Sequence, residues 1–159
     1  MSNDWVDDIH AMHSKFGVHE WVKNNMDNPR IMSEFMKFRM NFIREEFNET
    51  INAAKNENAE EIVDGLIDIC VVAIGTLDAF GVDAYKAWDE INRANMSKEP
   101  GIKESRPNPL GLPDLMKPDG WVGPSHENNH GIFDKLFIKD AEIVKKLKEM
   151  HEIGDITKS

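Results

Sequence analysis

Two consecutive helical stretches joined by a short polar turn constrain the fold of this chain most strongly. Between residues 31 and 54, aromatic and aliphatic side chains recur close to the helical period. Residues 55–58 are polar and rich in Asn, which is typical of a turn, and Asn58 followed by Glu61 resembles a capping arrangement. A second helix is therefore expected to begin there and to end at Gly81. The sequence predicts an antiparallel helical hairpin.

Acidic side chains recur at a spacing of three residues on both helices of this hairpin. The first helix carries Glu46 and Glu49, directly after Glu45, and the second carries Glu61 and Asp64. This spacing places each pair of carboxylates on one helical face. Two like charges about 4 Å apart repel by roughly 4 kcal/mol at an effective dielectric constant of about 20. A cluster of both pairs would therefore need raised pKa values or a cation, and Mg²⁺ is the expected ion because it prefers oxygen ligands.

Further helices are predicted on either side of the hairpin. A third helix is expected from Asp83 to near Asn95, with its apolar side chains Tyr85, Trp88 and Ile91 pointing inward. One helix, or two short ones, is expected in the N-terminal segment. In the same region, His10, His13 and His19 are expected to be ordinary core or surface residues.

Two details of the hairpin lead to further expectations. Ser33 is the predicted N-cap of the first helix. The second helix is apolar on nearly every side between Ile62 and Leu77, so it is expected to be buried on most sides. In a chain of this size, such burial indicates a homodimer or a homotetramer.

The composition changes after Lys98, where six prolines alternate with glycines up to Pro124. No regular helix is expected there, and an irregular arm is predicted over 99–131. Within the arm, Trp121 is expected to be a packing anchor. An amphipathic helix is predicted over 139–151. The expected fold is all-α, a single domain over 1–159 with its helical core at about 31–98.

Length and charge limit the classes of function. A chain of 159 residues is long enough to bury a core as one domain. The net charge of −10 argues against general binding to nucleic acid or to an anionic membrane. The single Cys70, and the lack of a signal-peptide pattern or a long apolar stretch, lead us to expect a soluble cytoplasmic protein.

Three motifs in a fixed order resemble one known family. They are Glu-Glu-x-x-Glu at 45–49, Glu-x-x-Asp at 61–64 and Asn-x-Ser-Lys at 95–98. This pattern resembles the MazG-like all-alpha nucleoside triphosphate pyrophosphohydrolases, including short bacterial and phage members labelled phosphoribosyl-ATP pyrophosphohydrolase-like. The segment 117–124 is similar to their proline-rich tail. The resemblance implies a four-helix core and hydrolysis of a nucleoside triphosphate, with a deoxynucleotide as the first candidate, to a monophosphate and pyrophosphate.

The same resemblance implies a role for each matching residue. Mg²⁺, or Mn²⁺ as a substitute, would be held by four carboxylates: Glu46, Glu49, Glu61 and Asp64. Glu45 would orient or deprotonate the attacking water, and Glu46 and Lys98 would share in catalysis. Asn95 and Lys98 would contact the phosphates or sugar of the substrate, and Asp68 would face the nucleotide.

Two alternatives remain open on sequence grounds. His126-Glu127-Asn128-Asn129-His130 satisfies the His-Glu-x-x-His pattern of zinc hydrolases, which requires a helix to align both imidazoles. Pro124 and Gly131 flank this segment and make a helix doubtful. The other alternative is a non-catalytic helical oligomerisation or partner-binding module, in which the acidic pairs are only solvated surface.

Overall fold

The computed structural model describes residues 4–137, residue 145 and residues 148–150, and the chain is mostly helical, as predicted. It divides into two compact units, Met1–Val82 with His130–Ser159, and Asp83–Asn129. The first unit contains α1 (Trp5–Lys15), α2 (Val18–Asn25), α3 (Pro29–Lys55) and α4 (Ala59–Ala79). The second contains α5 (Ala84–Met96) and two short antiparallel strands, β1 (Glu99–Gly101) and β2 (Asp114–Met116).

Helix α3 begins earlier than predicted. The side chain of Asn28 accepts a hydrogen bond from the backbone N–H of Ile31, at 3.2 Å, and Pro29 occupies the first helical turn. Proline fits that turn because the missing N–H would have no helical partner there. The prediction of Ser33 as the N-cap is therefore wrong, because Asn28 already caps the helix five residues earlier.

The predicted limits of the next two helices are confirmed. Asn58 caps α4 by accepting from the N–H of Glu61, at 3.3 Å. Gly81 follows the end of α4 with a φ of +74°, in the left-handed region that glycine adopts most easily. Asp83 then caps α5 by accepting from the N–H of Lys86, at 3.1 Å.

Helices α3 and α4 pack as an antiparallel pair whose register is set at two levels. At one level, Arg39 donates from Nε to Thr76 Oγ1, at 3.0 Å, and from its terminal nitrogen to the carbonyl of Val72, at 2.9 Å. At the other level, Gly65 lies against Thr50, so closely that a Cβ at Gly65 would overlap the Thr50 hydroxyl. The predicted helical hairpin is confirmed.

The core of the first unit surrounds Phe80, which is fully buried at the end of α4. Phe133 stacks on Phe80 with ring centroids 4.3 Å apart, and Ile132 donates its N–H to the Phe80 carbonyl at 2.8 Å. Val22 and Met32 complete this core from α2 and α3. Residues 133–137 are helical, which was not predicted.

In the second unit, the arm runs antiparallel to α5 along its length. Trp121 donates from Nε1 to the Ala94 carbonyl at 3.0 Å, and the N–H of Ser125 donates to Glu90 at 3.0 Å. Asn129 bonds both the N–H and the carbonyl of Asp83, at 2.8 and 2.9 Å. The prediction of Trp121 as a packing anchor is confirmed. The arm also contains the β1–β2 pair, which the sequence did not predict.

The prediction that α5 turns its apolar side chains inward is wrong, and the burial of α4 on most sides, which was expected from an oligomer, stays a prediction. On α4, the large side chains of Val63 and Leu66 are 64% and 53% exposed, so the helix is buried on one side only. On α5, Tyr85, Trp88 and Ile91 are exposed rather than inward-facing. The apolar pattern was correct, but the residues that the structure describes do not cover both faces of these helices.

The predicted terminal helix over 139–151 lies outside the described residues except at 145 and 148–150, which are helical. Among the described residues, no single helix is both long and apolar enough to cross a membrane. Helices α4 and α5 reach that length and apolar content only when they are taken together as a bent pair.

We expect Gly65→Ala to lower the free energy of unfolding by about 1–3 kcal/mol, the usual range for overpacking. Helix propensity alone predicts the opposite sign, because Ala in a helix interior is favoured over Gly by about 1 kcal/mol. Urea denaturation followed by circular dichroism measures the difference. In a Thr50→Ala background the penalty should shrink, since the obstructing hydroxyl is gone. A more stable Gly65→Ala protein with Thr50 intact would contradict the close contact.

Candidate active site

The register of α3 and α4 determines which carboxylates approach each other. Thr50 lies at the level of Gly65. Glu46 lies one turn from Thr50 along α3, in the direction away from the turn that connects the two helices. Asp68 lies one turn from Gly65 along α4, in the same direction. Glu49 and Asp64 flank the Thr50–Gly65 contact itself. The antiparallel packing therefore places acidic residues of both helices at the same two levels.

The electrostatics of Glu46 show that these groups interact. Partial burial raises the pKa of the Glu46 carboxyl, and the negative charges of neighbouring carboxylates raise it further. In decreasing order of effect, these neighbours are Asp68, Glu49, Glu45 and Asp64. Glu46 is thus the centre of a group of five carboxylates, which we call the acidic cluster.

Glu61 occupies a different level from the acidic cluster. It lies one turn nearer to the connecting turn than Asp64, and its backbone N–H donates to the Asn58 cap. Asp68, in contrast, has the largest electrostatic effect on Glu46 of any neighbouring carboxylate. The register of α3 and α4 therefore places Asp68, rather than Glu61, at the level of Glu46.

The donor set of the acidic cluster fits a hard divalent cation. It consists only of carboxylate oxygens, the ligands that Mg²⁺ prefers, and Mg²⁺ keeps several of its waters when few protein ligands bind it. Burial is the largest cause of the raised pKa of Glu46, and the repulsion from neighbouring carboxylates that adds to it is what a divalent cation would relieve. Glu45, Glu49 and Asp64 are exposed, so water and an anionic substrate can reach them.

The remaining predicted site residues lie in the second unit, at the end of α5. Lys98 donates from Nζ to the side-chain oxygen of Asn95, at 2.9 Å, so these two residues form a local pair. The Lys98 ammonium is also 5.5 Å from the centre of the Trp121 ring, and Lys117 lies 4.8 Å from the same ring. The Asn-x-Ser-Lys motif and the Trp-containing tail thus build one basic patch, which we call the lysine patch.

The zinc-hydrolase alternative lacks the helix that it requires. Residues 127 and 128 form a turn, and Asn128 has a φ of +61°. Asn129 is held by the backbone of Asp83, and His130 pairs with Asp134 at 3.1 Å. The two imidazoles therefore do not lie on one helical face.

An open apolar groove of about 540 Å³ lies at the start of α3, lined by Trp21, Arg30, Phe35 and Phe38 among others. It contains none of the predicted site residues. Phe38 is eight residues from Glu46 on the same helix, which corresponds to about 12 Å. The groove is therefore separate from the acidic cluster within one chain.

Sequence analysis missed one polar constellation. The three N-terminal histidines, expected to be ordinary core or surface residues, all contact the carboxylate of Asp78 near the end of α4. Their spacing at positions 10, 13 and 19 was visible in the sequence. The partner was not, because it lies 59 or more residues away along the chain.

Comparison with known proteins agrees with the motif analysis. Residues 19–95 match the family model of phosphoribosyl-ATP pyrophosphohydrolase. A search of curated proteins gave no significant match to the chain. The matched segment includes all of α3 and α4 and, with them, the whole acidic cluster. The family name implies hydrolysis of a nucleotide phosphoanhydride. Residues 19–95 therefore match a family that belongs to the MazG-like all-alpha nucleoside triphosphate pyrophosphohydrolase superfamily.

Proposed function

We propose that this protein hydrolyses a nucleoside triphosphate between its alpha and beta phosphates, with Mg²⁺ or Mn²⁺ as cofactor. Water adds to the alpha phosphorus, the bond to the bridging oxygen breaks, and the products are a nucleoside monophosphate and pyrophosphate. Deoxynucleoside triphosphates are the first substrates to test. The observation that carries this proposal is the convergence of five carboxylates from α3 and α4 around Glu46.

The side chains of the acidic cluster suit this reaction. Phosphoanhydride hydrolysis needs a nucleophilic water and neutralisation of the charge on the phosphate oxygens, and bound Mg²⁺ supplies both. Glu46, Glu49 and Asp64 would hold the ion, with Glu61 one turn away at the edge of the site. Glu45 would orient the attacking water and accept its proton. Asp68 would face the nucleotide from within the acidic cluster, next to Glu46.

Lys98 of the lysine patch would receive the anionic part of the substrate. Lys98 carries a compact positive charge suited to a phosphate oxygen, and Asn95 fixes its position through their hydrogen bond.

We also propose that the functional form is a homodimer or a homotetramer. Both helices of the hairpin expose large apolar side chains near the acidic cluster, namely Phe47, Ile51, Val63, Leu66 and Ile67. An exposed patch of this kind is unusual on a monomer. A second copy of the chain is the favoured partner, because a two-fold axis lets both copies bury the same patch at once.

Glu49→Ala is expected to lower pyrophosphate release by about 100-fold or more, since even outer partners of a metal ligand typically contribute 10–100-fold. The assay uses canonical ribo- and deoxyribonucleoside triphosphates, and phosphoribosyl-ATP, with Mg²⁺, Mn²⁺ or EDTA. Glu34→Gln is the control, because this exposed glutamate on the same helix pairs with Lys37. Full activity of Glu49→Ala, or activity of the wild type in EDTA, would exclude the proposed site. Turnover of phosphoribosyl-ATP alone would retain the site and change the substrate.

Lys98→Ala is expected to weaken catalysis on the preferred triphosphate by about 10-fold or more, as expected when a charged hydrogen bond worth 1.5–3 kcal/mol is lost. Lys117→Ala is the matched control, since Lys117 contacts the same Trp121 ring. Steady-state kinetics of both variants distinguishes the roles. An equal loss in both variants would mean that the lysines act only by packing on Trp121.

Light scattering of the purified protein is expected to give the mass of two or four chains. Val63→Lys should shift the mass towards one chain, because it places a charge in the apolar patch on α4. Phe16→Lys serves as control, since Phe16 is 70% exposed but lies between α1 and α2. A monomeric wild type would refute the oligomer proposal without affecting the metal site.

A further inference from the structure

Three imidazoles surround one carboxylate where α1 and α2 meet the end of α4. Nδ1 of His10 lies 2.6 Å from one Asp78 oxygen. Nδ1 of His13 and Nε2 of His19 each lie 2.7 Å from the other oxygen. Asp78 is only 10% exposed, so these contacts are made by a nearly buried carboxylate. The group belongs to the first unit and shares no residue with the acidic cluster.

Asp78 is held in its charged form. Burial by itself would raise the pKa of the Asp78 carboxyl, but the hydrogen bonds from His10, His19 and His13 outweigh it, and the net shift is downward. Burial lowers the pKa of His13, against the opposing effect of Asp78, which favours the neutral imidazole.

The ligand atoms are close enough to share one ion. One atom each from His10, His19 and Asp78 lies within 4.8 Å of the other two. Metal–nitrogen and metal–oxygen bonds to Zn²⁺ are about 2.0–2.2 Å long, so two ligands of one ion are at most about 4.4 Å apart. Small side-chain adjustments therefore suffice to bring all three atoms into coordination.

Two neighbours orient the ligands as outer partners of metal sites do. Ser14 Oγ lies 2.9 Å from Nδ1 of His19, which leaves Nε2 for the side facing Asp78. His13, with a side chain only 6% exposed, contacts the Asp78 oxygen from the buried side. Such partners fix the ring orientation and tautomer of a metal-binding histidine. The His10 side chain is 62% exposed and leaves one side of the site open to water.

We propose that His10, His19 and Asp78 form a second metal site, which binds one divalent first-row transition-metal ion such as Zn²⁺. Imidazole nitrogen combined with carboxylate oxygen selects such ions over Mg²⁺, whereas the oxygen-only acidic cluster has the opposite preference. The three ligands come from α1, α2 and α4, so the ion would clamp the two N-terminal helices onto the end of α4. Water completes its coordination on the exposed side.

Metal titration of the full-length protein, first stripped with EDTA and then dialysed, tests this proposal. Co²⁺ is added in millimolar Mg²⁺, which saturates the acidic cluster, and the visible absorption of imidazole-bound Co²⁺ is recorded. Calorimetry under the same conditions measures Zn²⁺ binding. We expect one ion per chain and a higher unfolding temperature with Zn²⁺, because a ligand that binds only the folded state stabilises it.

Variants assign the binding to these side chains. His10→Ala and His19→Ala should each weaken Zn²⁺ binding by about 10-fold or more, since each removes a ligand. The exposed His10 makes the first variant safe for folding, and His130→Ala is the control because His130 pairs with Asp134 elsewhere. Glu49→Ala should retain the Zn²⁺ site, which separates this result from the proposed hydrolase activity. Absence of Zn²⁺ and Co²⁺ binding in the wild type, or unchanged binding in both histidine variants, would overturn the proposal.

Discussion

The close approach of α3 and α4 at Thr50 and Gly65 is the contact on which the candidate site depends. Without a Cβ at Gly65, the helix backbones come near enough for carboxylates on either side of the contact to meet. Arg39 fixes the same register two to three turns away, through Thr76 and the Val72 carbonyl. A shift of one residue in this register would rotate Asp64 and Asp68 away from Glu46 by about 100°. The hairpin therefore needs both contacts to build the acidic cluster.

Helix α4 carries two polar constellations of different chemistry. The acidic cluster contains only carboxylate oxygens, and the group around Asp78 combines one carboxylate with three imidazoles. Asp68 and Asp78 are ten residues apart on one straight element, which corresponds to about 15 Å. Gly75 lies between them and leaves room for both Arg39 and His13. The lack of a side chain at Gly65 thus allows the close contact with Thr50 beside the acidic cluster, and the lack of one at Gly75 leaves room for Arg39 and His13 near Asp78.

The helix limits were largely predictable, because caps are local signals. Asn58 and Asp83 each cap a helix by accepting a hydrogen bond from a nearby backbone N–H, and Gly81 follows directly after the end of α4. Ser33 failed as a cap because the helix begins five residues earlier, where Asn28 caps it and Pro29 occupies the first turn. The predicted burial of Tyr85, Trp88 and Ile91 failed for a different reason. Periodicity identifies an apolar face, but it does not say what covers that face.

The sequence by itself determined the helical hairpin, the spacing of its carboxylates and the match of the hairpin to a known family. These features depend on residues close together in the chain, so local propensity and spacing specify them. The tertiary structure alone decided that Asp68 interacts with Glu46 more strongly than the other carboxylates do, and that three histidines converge on Asp78. Both arrangements join residues that are 22 or more positions apart. Only the packing of one helix on another brings such residues within a few ångströms.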